Sequence, residues 1–210
     1  MEQIDVGNGL SPDQVSRIVD ILESGKVVMH ATETCYGLTA DPFQEKALAR
    51  LYALKEMDLE KPVSLMVSSD GDGLAQGMRY GDFNEKAKAL AQRFWPGPLT
   101  LIVPRKSSLP VFLNRGIDSV GLRCPDHDIT QAILKAMGTP LVTTSANVTG
   151  KPQAYAPHET TLKPDLLVNS GRIRAELPST IVKVEGSELT VLREGDNISE
   201  VEMFLEQLVD

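Results

Sequence analysis

The chain has 210 residues, 41% hydrophobic and 24% charged, enough for one large domain with a real core or two small ones. Its formal net charge is -8 at pH 7, and the acidic excess is shared evenly between the halves. That excludes a basic nucleic-acid module or a charged tail, while a local basic patch stays compatible with it.

The elements follow in chain order. Ser11-Pro12-Asp13-Gln14 predicts a capped helix start, with Val15, Ile18, Val19 and Leu22 at helical spacing and Gly25 as the stop. KVVMHA (26–31) reads as a strand. Asp41-Pro42 is expected to open a second helix with Leu48, Leu51 and Leu54 on one face, ending near Glu56. PVSLMV (62–67) reads as a strand and residues 84–94 as a helix. LTLIV (99–103) and SVGLR (119–123) are strands, followed by a helix over 127–137 and the strand PLVTT (140–144). STIVKV (179–184) and LTVLR (189–193) form a late pair of strands, and residues 198–209 a closing helix. Strands and helices alternate without linker or repeat, which predicts one α/β domain with a mixed sheet.

Cys35 and Cys124 lie far apart and show neither a disulfide framework nor a metal spacing. His30, His127 and His158 form no local cluster, so no metal site is expected. MEQIDVGNGLS is not a signal peptide and no apolar run spans a membrane, so a cytoplasmic location is expected.

Polar motifs follow the strands. TETCYG follows KVVMHA, CPDH follows SVGLR, and TTSAN ends PLVTT. In open α/β sheets, ligands bind beyond the carboxyl ends of strands. The small hydroxyl and amide groups of Thr143, Thr144, Ser145 and Asn147 would let a ligand approach closely, or would simply make a turn. Lys55 either complements the dipole of its helix or neutralises a phosphate. Trp95-Pro96-Gly97-Pro98 reads as a rigid turn with Trp95 as an anchor. Arg123 and Arg193 end strands, where each could clamp a carboxylate or phosphate, or stay solvated. No standard phosphate loop, dinucleotide fingerprint, zinc helix or nucleophile elbow is present.

Together these segments resemble the YrdC-like threonylcarbamoyladenylate synthases. The match is carried by TETCYGLTADPF, KEMDLEKPVSLMV, FWPGPLTLIV, VGLRCPDH and PLVTTSANVTGKP, with STIVKV and VLREG closing it. It covers roughly residues 10 to 197 of a single domain spanning 1–210. The resemblance implies a twisted mixed sheet with flanking helices around a concave cavity. It implies synthesis of threonylcarbamoyl-AMP and pyrophosphate from ATP, bicarbonate and L-threonine, with Mg²⁺ accompanying ATP. A partner transferase would then modify adenosine 37 of tRNA. By motif, Lys55, Ser145 and Asn147 are the catalytic candidates. Thr143 and Arg193 join them around the nucleotide. Thr32, Thr34, Tyr36, Arg123 and Ser179 are candidates for threonine and its carbamate.

Three positions depart from the pattern. Lys55-Glu56-Met57 lacks the arginine of a Lys-x-Arg element, which makes position 57 an expected unfilled anion contact. Ala31 stands for a proline and Met66 for a histidine. Two other functions fit the resemblance: a non-catalytic relative binding RNA or nucleotide, and carbamoyl-adenylate chemistry with another acceptor. The net charge limits any RNA contact to a weak one.

Overall fold

Ser11 caps the first helix as its sequence predicts. Its hydroxyl accepts from the Gln14 N–H, the Gln14 side chain accepts from the Ser11 N–H, and Pro12 occupies the first turn. The computed structural model describes residues 1–7, 9–174 and 177–208. The strands are β1 (Glu2–Asp5), β2 (Val28–Ala31), β3 (Tyr36–Ala40), β4 (Ser64–Met66), β5 (Leu99–Pro104), β6 (Ser119–Arg123), β7 (Leu141–Ser145), β8 (Leu166–Asn169), β9 (Thr180–Glu185) and β10 (Glu188–Arg193). The helices are α1 (Pro12–Glu23), α2 (Glu45–Lys55), α3 (Gly73–Gly77), α4 (Glu85–Phe94), α5 (Asp128–Met137) and α6 (Ile198–Gln207).

All ten strands form one mixed sheet in the order β1-β8-β2-β3-β7-β4-β6-β5-β9-β10. Parallel pairs (β1–β8, β2–β8, β4–β6, β5–β9) are interspersed with antiparallel ones. The strands β1, β3 and β8 and the short helix α3 were not expected. Polar TETCYG disguised β3: its first residues turn a hairpin, and only Tyr36 onward pairs with β2 and β7. α2 begins at Glu45 because Asp41 first makes a local turn, accepting from the Phe43 N–H at 2.9 Å. Val209, the last residue of the expected closing helix, lies outside the described residues.

Successive strand residues point to opposite faces, and the two faces bury different things. Leu38, Val142, Leu65, Leu122, Leu101 and Val182 join the large cluster that includes side chains from α2, α4 and α6. On the other face α1 and α5 cover β2, β8 and the near ends of β4 and β7, through Ile18, Leu22, Ile133, Val28, Met66 and Leu141. Two residues along β4 and β7 the same face turns polar, at Ser64 and Thr143. A cavity of about 210 Å³ opens there. Among the described residues no helix is long and apolar enough to cross a membrane.

Candidate functional site

The face of the sheet that carries the cavity has a row of small residues from separate strands, of which Ser64 and Thr143 line the cavity. Thr39 pairs with Thr143, Thr143 with Ser64, and Ser64 with Gly121. Gly121 is there because nothing larger fits: a Cβ would lie 2.3 Å from Ser64 Oγ and 3.5 Å from Thr100 Cγ2. Gly121→Ala is therefore expected to drive Ser64 toward the cavity and to cost about 1–3 kcal/mol of stability by overpacking. Parallel thermal unfolding and ligand titration would show both losses. The site thus lies on the open face of the sheet, and not only beyond strand ends as the general rule for such sheets suggests.

The β2–β3 hairpin supplies one wall. Thr32 Oγ1 bonds Thr34 Oγ1 at 3.0 Å and donates to the Cys35 carbonyl at 2.8 Å. Arg123 reaches this wall from the end of β6 and is 6% exposed. Its Nη1 donates to Thr34 Oγ1 at 3.0 Å and its Nε to the Gly97 carbonyl at 3.3 Å. Nη2 lies 2.7 Å from Glu33 Oε1 as an ion pair without hydrogen-bond alignment. Burial raises the pKa of the Cys35 thiol, while Arg123, Arg193 and Lys55 pull it back down.

Arg193 enters from the far side, and a register shift puts it there. Val191 pairs with Val182, yet Arg193 pairs with Ile181, so one extra residue, Leu192, bulges from β10. Strict alternation would have left Arg193 on the core face beside Leu189 and Val191. The bulge instead turns it to the face of Ile181, which lines the cavity. Arg193 Nε donates to the Ser179 carbonyl at 2.9 Å and Nη2 to Ser179 Oγ at 2.8 Å. Ser179 Oγ in turn lies 3.0 Å from Thr100 Oγ1. Burial and the positive field of Arg123 lower the arginine pKa, but guanidinium stays charged at neutral pH. Both arginines line the cavity and, among the described residues, no Asp or Glu does.

Lys55 is buried under the loop that follows β7 and does not line the cavity. Its ammonium donates to the carbonyls of Ser145 and Asn147, the latter at 2.9 Å, and lies 3.4 Å from Asn147 Oδ1. The Lys55 carbonyl accepts from the Thr149 N–H at 3.1 Å, so both ends of the residue stitch α2 to this loop. Burial pushes the Lys55 pKa down to about 8. Ser145 lines the cavity and its hydroxyl donates to Asn147 Oδ1; Asn147 Nδ2 donates to the Lys151 carbonyl at 2.6 Å. Ser145→Ala is expected to weaken nucleotide binding by about 1.5–3 kcal/mol with little change in Tm. Asn147→Ala should also lower Tm, because it strips an acceptor from both Lys55 and Ser145. Nucleotide titration and thermal melts of both variants check this.

Of the expected residues, Thr32, Thr34, Arg123, Thr143, Ser145, Ser179 and Arg193 meet around one cavity. Tyr36 does not line it: its hydroxyl donates to the Gly171 carbonyl at 2.7 Å and accepts from the Ser170 N–H. Asn147 and Lys55 stand behind the Ser145 wall. Met57 packs half-buried against the large core and Met66 is buried under α1 and α5, so neither contributes to the cavity. The expectation that position 57 is an unfilled anion contact is not met by this packing. Ser64, Thr100 and Gln153 line the cavity and were missed. The available signal was one small polar residue within otherwise apolar PVSLMV and LTLIV.

The fold and the cavity define an α/β protein with a cavity lined by hydroxyls and two arginines on the open face of a mixed sheet. The chain belongs to the Sua5/YciO/YrdC family, described as telomere recombination, which it matches over residues 20–195. A threonylcarbamoyl-AMP synthase of Vibrio cholerae is 35% identical over 150 residues, covering 70% of this chain and 78% of that protein. A threonylcarbamoyl-AMP synthase of Bacillus subtilis is 31% identical over 201 residues, covering 91% of this chain and 57% of that protein. The structure of Pyrococcus abyssi Sua5 complexed with L-threonine gives a TM-score of 0.89 at 29% identity, covering 97% of this chain and 60% of that one. The chain therefore spans little more than half of the Bacillus and Pyrococcus proteins.

Proposed function

We propose that this chain is an L-threonylcarbamoyladenylate synthase. The observation that carries the reading is the cavity itself: the buried Arg123, the half-buried Arg193 and a set of hydroxyls face it, and among the described residues no carboxylate does. Joining a carbamate to ATP requires two anions side by side, and such a lining offsets their repulsion. L-threonine and bicarbonate give the carbamate. A carbamate oxygen attacks the α-phosphorus, the bond to the bridging oxygen breaks, and pyrophosphate leaves. Arg193 and the Ser145 loop hold the nucleotide, with Asn147 and Lys55 supporting that loop. Arg123 takes the threonine carboxylate, among Thr32, Thr34 and Ser179. No covalent nucleophile is needed. Mg²⁺ would accompany the ATP phosphates, since the described cavity lining offers it no carboxylate.

On this reading residues 10–197 act as one catalytic unit in the cytoplasm, and a tRNA-modifying transferase consumes the adenylate. The test is mass spectrometry of products from purified protein, ATP, Mg²⁺, bicarbonate and L-threonine. Threonylcarbamoyl-AMP is expected only when threonine and bicarbonate are both present. Equal ATP turnover without threonine would sink the reading.

A further inference from the structure

The two arginines of the cavity are not equivalent. Among the described residues Arg193 bonds to neutral partners, Ser179 O and Ser179 Oγ. Arg123 arrives with its own carboxylate, Glu33, at 2.7 Å. Glu33 is held in turn by the Asp126 N–H, which donates to the same Oε1 at 2.9 Å. The side chains of the pair are only 7% and 19% exposed, so solvent and salt screen their fields weakly. One end of the cavity is therefore close to neutral overall, and the other carries a cation with no carboxylate partner among the described residues.

We infer that Glu33 is a specificity-determining residue: it makes Arg123 accept a singly charged carboxylate and reject a multiply charged phosphate, which is left to Arg193. The repulsion that Glu33 exerts on an anion seated at Arg123 scales with the charge of that anion. A carboxylate feels it once and a phosphate dianion twice, which offsets the doubled Coulombic attraction that Arg123 alone would offer the dianion. The two substrates are thereby sorted to opposite ends, in the one orientation that brings carbamate to the α-phosphorus. This inference rests on the threonine reading above.

The test uses calorimetric titration of the purified chain with L-threonine and, separately, with AMP, each with and without inorganic phosphate. In the wild type, phosphate is expected to weaken AMP binding while changing the threonine Kd less than about 2-fold. Glu33→Gln keeps the shape of the side chain and an acceptor for the Asp126 N–H, but not the charge. In that variant the same phosphate concentration is expected to raise the apparent threonine Kd by about 10-fold or more. A merely structural role would weaken threonine binding without creating sensitivity to phosphate, and that result overturns the inference. So does a Glu33→Gln variant as insensitive to phosphate as the wild type. Should the variant fail to fold, the wild-type comparison still decides: phosphate competing equally with threonine and AMP overturns the inference. A wild type that binds no threonine would instead overturn the reading beneath it.

Discussion

Lys55→Met is expected to lower kcat/KM for ATP by about 30-fold or more, the rate equivalent of about 2 kcal/mol. The ammonium holds the carbonyls of Ser145 and Asn147 from below, so methionine removes a donor from each and leaves the Asn147 N–H on the Ser145 carbonyl. Lys55→Arg keeps a cation and should retain more activity. The pH profile separates charge from shape. With its pKa down to about 8, Lys55 loses its proton, and one donor, as pH rises through that value. Activity should then fall on the basic side near pH 8, and Lys55→Arg should move that limb upward. Stability moves the other way. Between about pH 8 and the ordinary lysine value of 10.5, the unfolded chain binds more protons than the folded one at this site. The contribution of Lys55 to the unfolding free energy therefore rises with pH over that window. Rate profiles and denaturant unfolding from pH 6.5 to 10.5, an interval set by that shift, would show the opposed trends. A Lys55→Met variant with wild-type kinetics would remove Lys55 from the account.

Arg193→Ala should cost about 1.5–3 kcal/mol of nucleotide binding, or roughly 10- to 150-fold in the KM for ATP. It removes the cavity cation that has no carboxylate partner, and it also frees Ser179. Arg193→Lys should recover only part of the loss, because an ammonium cannot bond Ser179 O and Oγ while presenting a planar edge to phosphate. The KM for threonine should change far less. Equal damage to both substrates would mean that Arg193 shapes the whole cavity and not one end of it.

Much of the architecture was legible in the sequence. The capped start of α1, the apolar spacing of α4 and α5, and the strands at LTLIV, SVGLR and PLVTT are local properties, and each formed close to where its pattern lies. β3 and β8 were not legible, because Tyr36–Ala40 is half polar and Leu166–Asn169 is short. β8 pairs with β1 and β2, both distant in sequence, and β3 adds the distant β7 to its hairpin with β2. The site divides in the same manner. Hydroxyls and arginines at strand ends could be suspected singly. The row of Thr143, Ser64 and Gly121 exists only through the registers of three strands. The engagement of Lys55 by backbone carbonyls was hidden too, since nothing in its neighbours reveals a loop 90 residues away in sequence.

The bulge in β10 makes one binding group depend on which residue of the strand pairs with Ile181 and not only on the identity of a residue. Leu192 is 55% exposed, and its side chain is not needed to fill the core. A regular ladder that paired Leu192 with Ile181 would leave every cavity residue in the sequence, yet put Arg193 on the side of the core helices. Deleting Leu192 would not do so, because Arg193 would then follow Val191 directly and stay opposite Ile181 on the cavity face. Among relatives, a one-residue gap at this place is therefore compatible with an arginine that still faces the cavity.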